Sequence, residues 1–254
     1  MAQLPFSEYG SGENILVLLH GYGADRNLFR PLIPRLEKQF RIITLDLRGH
    51  GEAVNIRKPF HFDQFAADVI ETLDNLNIQQ FNLMGYSMGG FISQIIVRNY
   101  PQRVLKLVLG CTSAYKNDSF YERTIEKRGL PILLSLIGVK NFAKLVFPGA
   151  AGGKPLDPES LKQFKSTLAK NDPENIIEIG AEIFKFDNRP CLKQIQIPTL
   201  VLGAKKDFIV PFRHSQLLAD NISNARLHVF QDAGHGAIFT HRTEMAEAIQ
   251  AFFK

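Results

Sequence analysis

Short apolar runs alternate along the chain with longer stretches whose apolar residues recur every three or four positions. The two periods divide its first half into strands and helices. Ile15-Leu16-Val17-Leu18-Leu19, Arg41 to Leu45, Phe81-Asn82-Leu83-Met84 and Val104 to Leu109 have the length and apolar density of strands buried on both faces. Between them, Asn27 to Lys38 carries Leu28, Leu32 and Leu36 at helical spacing. Asp63 to Leu76 carries Phe65, Val69, Leu73 and Leu76 in the same way, with Asp63 expected as its N-cap. A further helix, Phe91 to Arg98, is terminated by Pro101. Such alternation specifies an α/β fold, a mostly parallel sheet flanked by helices.

The regularity changes at Ala114. From there to about Pro190 the pattern is helical with no clear strand, broken at Pro131, Gly138, Pro148-Gly149, Gly152-Gly153, Pro155, Pro158 and Pro173. Strand periodicity resumes at Thr199 to Leu202 and Arg226 to Phe230, and a helix from Glu244 to Phe253 closes the chain. An insertion of that size after a sheet strand is expected to sit as a cap over the strands' C-terminal edge. The expected division is a core of residues 1–113 and 191–254 with a helical cap of residues 114–190.

Composition narrows the picture. The 254 residues, 45% of them hydrophobic, are enough for one large core with an insertion, which is favoured over two small domains. Cys111 and Cys191 are too few for a disulfide scaffold and too far apart for a metal motif. They read as free thiols of a reducing, cytoplasmic compartment. No signal peptide or membrane span is evident, and none of the chemistry calls for the membrane. The net charge of +5 does not point to nucleic acid, because Lys and Arg are scattered and not interleaved with aromatics. The segment from Ser119 to Lys170 holds nine Lys and Arg against four Asp and Glu, so the excess is concentrated in the expected cap.

The chemistry begins at Gly85-Tyr86-Ser87-Met88-Gly89-Gly90, between an expected strand and an expected helix. A serine on so sharp a turn is forced into a crowded backbone conformation, tolerable only where the residues two before and two after it have no bulky side chain. Gly85 and Gly89 meet that demand. A serine hydroxyl is a weak nucleophile at neutral pH, so Ser87 needs a base, and the base needs an acid to fix its tautomer and stabilise its charge. Asp207 follows the strand ending at Leu202, and His235 follows the strand ending at Phe230. Both therefore emerge at the sheet edge that presents Ser87. His20 precedes the nucleophile in a strand-end turn and is expected to order that loop. His50, His61, His214, His228 and His241 lie in turns or on element faces, where a structural role is the default. As acids, Asp232 sits on the base's own loop and Asp46 follows an earlier strand. Acyl transfer also needs donors for an oxyanion. The candidates are the backbone N–H of Met88, at a helix start, and of Tyr22, in the loop His20-Gly21-Tyr22-Gly23. The side chains of Tyr22 and Met88 are expected to line the substrate pocket.

Four motifs in order, His20-Gly21-Tyr22-Gly23, Asp46-Leu47-Arg48-Gly49-His50-Gly51, the Ser87 turn and the Asp207 and His235 loops, span nearly the whole chain. Together they resemble the α/β-hydrolase fold superfamily. The resemblance implies that fold with a helical cap inserted after the sixth strand, a Ser-His-Asp triad, and no metal or organic cofactor. Among subfamilies the chain is similar to small carboxylesterases, 3-oxoadipate enol-lactonases and pimeloyl-acyl-carrier-protein methyl ester esterases. The implied activity is cleavage of a small-molecule carboxylic ester through an acyl-enzyme. Lactonase and acyl-carrier-protein methyl ester esterase are the alternatives, with carbon–carbon bond hydrolases and hydrolase-fold ligand receptors further off. Epoxide hydrolases and haloalkane dehalogenases place an aspartate at the nucleophile, and Ser87 argues against both. The menaquinone-pathway synthase shares the Gly-Tyr-Ser-Met-Gly-Gly string but typically follows it with arginine, where this chain has Phe91. The basic segment suits a carboxylate-bearing substrate or an acidic acyl carrier protein, unless its lysines are solvated helix faces.

Overall fold

The computed structural model describes residues 3–116 and 156–254. Among them seven strands form one sheet: β1 (Phe6–Tyr9), β2 (Asn14–Leu19), β3 (Phe40–Leu45), β4 (Phe81–Tyr86), β5 (Val104–Gly110), β6 (Thr199–Ala204) and β7 (Ala225–Phe230). Their spatial order is β1-β3-β2-β4-β5-β6-β7. β1 pairs antiparallel with β3, and every other pairing is parallel. The described helices are α1 (Ile33–Leu36), α2 (Phe62–Asn75), α3 (Met88–Asn99), α4 (Pro158–Lys170), α5 (Pro173–Ile183), α6 (Arg213–Asn221), α7 (Ala237–Thr240) and α8 (Arg242–Phe253).

The inner strands are largely apolar because both faces are covered, whereas the edge strands β1 and β7 carry Glu8, Arg226 and His228 and are only partly buried. In β2, Val17 and Leu19 join a core with Phe65, Val69 and Leu73 of α2 and Ile92, Ile95 and Ile96 of α3. The alternate residues Leu16 and Leu18 face the other way, into a core with Met245, Ala246, Ile249 and Phe252 of α8. The strand order reverses direction between β2 and β4, whose neighbours on the far side are β3 and β5. A parallel sheet has its crevice there, outside the carboxyl ends of the strands. The loop His20–Gly23 follows β2 and the turn at Ser87 follows β4.

Several expectations change. Residues 27–38 do not form one helix but a 3₁₀ turn (Arg26–Phe29) followed by α1, because Pro31 and Pro34 have no N–H to give a continuous helix. Leu28, Leu32 and Leu36 are buried nonetheless. The N-cap of α2 is His61; Asp63 lies in the first turn, where its carboxylate accepts from Arg98 and Asn99. The insertion follows the fifth strand rather than the sixth, because a single antiparallel strand precedes the parallel ladder. Its two ends pair through an antiparallel bridge between Tyr115 and Asp187, with Asn188 N–H donating to Ala114 O at 2.7 Å. The turns expected from Pro131 to Pro155 lie outside the described residues. Among the described residues no helix is long and apolar enough to cross a membrane.

Candidate active site

Ser87 is the residue between β4 and α3, and its backbone lies in the left-handed region at φ 54°, ψ −121°. Such a conformation persists only where its surroundings over-determine it. Here Ser87 N–H donates to Gly110 O at 2.8 Å, and Ser87 O accepts from the Thr112 hydroxyl at 2.7 Å and from Gly90 N–H at 2.9 Å. The two glycines of the turn are steric necessities. A Cβ on Gly85 would strike the Gly89 carbonyl and the Ser93 hydroxyl, and one on Gly89 would strike the Leu19 and His20 carbonyls. The second contact shows how tightly α3 is drawn against the end of β2. The loop after β2 lies correspondingly close, and a Cβ on Gly21 would stand 3.1 Å from that of Ser87.

The structure brings Ser87, His235 and Asp207 into one hydrogen-bonded chain. His235 Nδ1 lies 2.8 Å from Asp207 Oδ2, and His235 Nε2 lies 3.0 Å from Ser87 Oγ. With Nδ1–H donating to the carboxylate, Nε2 keeps its lone pair toward the serine hydroxyl. Asp207 follows β6 and is 6% exposed. Its second oxygen accepts from Ile209 N–H at 2.9 Å and Val210 N–H at 2.8 Å, so both carboxylate oxygens are held. The acid and base loops are also bonded to each other, Lys206 N–H donating to Ala233 O at 2.9 Å. A hydroxyl joined through imidazole to a buried, oriented carboxylate can pass its proton to the ring as it attacks a carbonyl.

Beside Ser87 lie Met88 and Tyr22. Met88 is the first residue of α3, where a helix leaves its N–H without an intrahelical acceptor; its side chain is buried in the core. The Tyr22 hydroxyl donates to Ile176 O of α5 at 2.5 Å, and burial raises its pKa. Two histidines lie beneath the Tyr22 loop. His20 bonds Gly21 O through Nδ1 at 2.8 Å and accepts Leu47 N–H at Nε2 (3.0 Å), which fixes its tautomer. Burial pushes its pKa down. His50, with its ring edge-on to His20 and to Tyr22, is pushed down to about 3, by burial first and then by the neighbouring His20.

The remaining candidates are engaged elsewhere. Asp232 pairs with His241 at 2.8 Å, His228 with Glu244 at 3.0 Å and His61 with Glu182 at 3.2 Å. His214 is buried on α6 against the Tyr115 ring. Asp46 accepts from Arg26 N–H and Glu52 N–H and pairs with the Arg26 guanidinium. Among the described residues no three His, Cys, Asp or Glu side chains gather closely enough to hold a metal ion.

One contributor has no signal in the sequence. The Tyr86 hydroxyl donates to the backbone carbonyl of His235 at 2.6 Å and accepts from Ile238 N–H at 3.4 Å. The residue before Ser87 thus braces the loop that carries His235. The turn constrains its neighbours to be small but leaves this position open, so only the contact across the site reveals its part.

Known proteins share this architecture. The sequence model of the family described as alpha/beta hydrolase fold matches residues 14–242. The chain is 27% identical over 270 aligned positions to a 2-hydroxy-6-oxononadienedioate/2-hydroxy-6-oxononatrienedioate hydrolase of Escherichia coli O139:H28 (strain E24377A / ETEC), covering 98% of this chain and 90% of that protein. It is 29% identical to a poly(3-hydroxyalkanoate) depolymerase of Ectopseudomonas oleovorans, over 94% of this chain and 84% of that one. Among solved structures, a thermophilic esterase from Thermogutta terrifontis superimposes with a TM-score of 0.88 at 26% identity, over 98% of this chain and 92% of that one. The chain therefore belongs to the α/β hydrolase fold family, and these named relatives are a hydrolase, a depolymerase and an esterase.

Proposed function

We propose that this protein is a serine hydrolase of carboxylic esters. The observation that carries the reading is the unbroken path from Ser87 Oγ through the His235 ring to Asp207, at 3.0 Å and 2.8 Å. In the proposed reaction Ser87 attacks the ester carbonyl while His235 Nε2 takes its proton, and Asp207 stabilises the imidazolium. The backbone N–H groups of Met88 and Tyr22 receive the oxyanion, and His235 returns its proton to the departing alcohol. Water, activated by the same imidazole, then releases the acid and restores Ser87. No step calls for a metal or organic cofactor.

The relatives' names support a carbonyl substrate but divide over the bond cleaved. An esterase and a polyester depolymerase cleave C–O bonds, as proposed for this chain. Ser87→Ala is expected to abolish turnover of p-nitrophenyl esters while the circular dichroism spectrum and melting temperature stay at wild-type values. Undiminished turnover in that variant overturns the proposal.

A further inference from the structure

Glycine is the poorest helix former after proline, yet Gly180 stands inside α5. Its place there has a steric reason. A Cβ on Gly180 would lie 2.9 Å from the Tyr22 hydroxyl oxygen, which donates to the carbonyl of Ile176, one turn earlier on the same helix. The bare backbone at Gly180 lets the phenol reach a main-chain oxygen that any larger residue would screen.

The helix it reaches is fixed independently of Tyr22. Asn175 Nδ2 donates to Val54 O at 2.8 Å, and a Cβ on Gly49 would meet the Ile179 side chain at 2.9 Å. Arg57 pairs with Asp172 at 2.9 Å, Lys58 with Glu178 at 2.7 Å and His61 with Glu182 at 3.2 Å. The preceding turn grips the same loop from the other side, Asn171 Nδ2 donating to Gly23 O at 2.8 Å. Leu168 of α4 lies against Gly23, 3.0 Å from where a Cβ would stand, and the φ of +70° there is one that residues with a side chain rarely adopt.

We propose that α5 positions the oxyanion loop, with Tyr22 as the positioning residue. Its hydroxyl, seated over Gly180 and bonded to Ile176 O, fixes the direction in which its own backbone N–H points. The inference rests on the hydrolytic reading above and adds that the segment between β5 and β6 shares in building the catalytic site.

A tetrahedral inhibitor reads this directly. A trifluoromethyl ketone or boronic acid forms its adduct on the nucleophile and places an oxyanion between the two donors, whereas ground-state substrate needs them less. Tyr22→Phe keeps the ring and removes the bond. Gly180→Ala keeps the bond's two partners and drives them apart. Each is expected to lower kcat for a p-nitrophenyl ester, and affinity for the inhibitor, by about tenfold with KM unchanged. The double variant should be no worse than Tyr22→Phe alone, because the hydroxyl oxygen is the one atom the added methyl would clash with, the ring carbons lying at ordinary contact distance, 3.6 Å and beyond. Unchanged inhibitor affinity in both single variants, or losses that multiply in the double, overturns this inference and leaves the hydrolytic reading standing. A wild-type protein that neither turns over the ester nor binds the inhibitor overturns both.

Discussion

Ser87, Asp207 and His235 stand on turns at the ends of β4, β6 and β7, whereas the loop from Gly21 to Gly23 takes its shape from side chains that arrive from elsewhere. On the first side the main chain does most of the holding: Ser87 N–H to Gly110 O, Lys206 N–H to Ala233 O, and two backbone N–H groups on Asp207. On the second side His20 and His50 lie beneath the loop, and Tyr22, Leu168 and Asn171 connect it to α4, α5 and the turn between them. The Ser87 side is thus set by the sheet. The Tyr22 side is a contact between sheet and insertion, so under the proposed mechanism changes in the insertion can alter the chemistry while the Ser-His-Asp geometry stays as it is.

The largest effect should come from the sheet-held side. Asp207→Asn keeps an acceptor for Ile209 and Val210 N–H but loses the charge facing His235 Nδ1. It can also turn an N–H toward that nitrogen and favour the wrong tautomer. Ester turnover is expected to fall by about 10³–10⁴ while the melting temperature stays near wild type. Turnover within tenfold of wild type would mean that the carboxylate does not orient the base, and the sheet-held half of the comparison would lose its mechanism.

A titration reaches the other side. His50 is buried and its pKa is held down to about 3, while in the unfolded chain a histidine titrates near its usual 6.5. Above that pH both states are neutral and the residue adds no pH dependence. Below it the unfolded chain takes up a proton that the folded chain refuses, so stability falls with falling pH until the folded imidazole itself protonates near pH 3. The slope is about 1.4 kcal/mol per pH unit from this group. His20, also pushed down by burial, adds to it in the same direction. Urea unfolding at successive pH values between 7 and 4 should show the loss, and His50→Gln should flatten it. Parallel curves for the two proteins would show that the buried ring is not the source.

The two sides also differed in how legible they were. Ser87 declared itself because its turn demands glycine two residues away on either side, and Asp207 and His235 because the end of a parallel strand is a recognisable place. Each of those demands is local. The supports of the Tyr22 loop are not: Tyr22 and Ile176 are 154 residues apart, and a glycine within a helical pattern says nothing of the phenol that will pass over it. The same limit explains smaller departures. β1 is four residues long and finds its place only by pairing with β3. The helix expected at 27–38 had the right apolar spacing, but Pro31 and Pro34 outweigh periodicity in so short a stretch. Asp63 has the chemistry of a cap and lies two residues past the capping position.

The smallest of these effects tests whether the two sides are separate. Tyr86 also joins the Ser87 turn to the His235 loop, its hydroxyl donating to His235 O at 2.6 Å with its ring centroid 5.9 Å from that of the imidazole. Burial keeps the phenol protonated and therefore a donor. Tyr86→Phe removes the bond and keeps the ring, so the His235 loop loses one brace while Asp207 still holds the imidazole. The expected loss in kcat is about tenfold, or roughly 1.4 kcal/mol, well short of that for Asp207→Asn. Tyr86 and Tyr22 share no hydrogen-bond partner, and their hydroxyls are bonded to His235 and Ile176 respectively. If the sheet holds one side of the site and α5 the other, the losses in Tyr86→Phe and Tyr22→Phe should multiply when combined. A double variant no slower than the slower single would show that both tyrosines brace one continuous structure, and the division between the two sides would have to be given up.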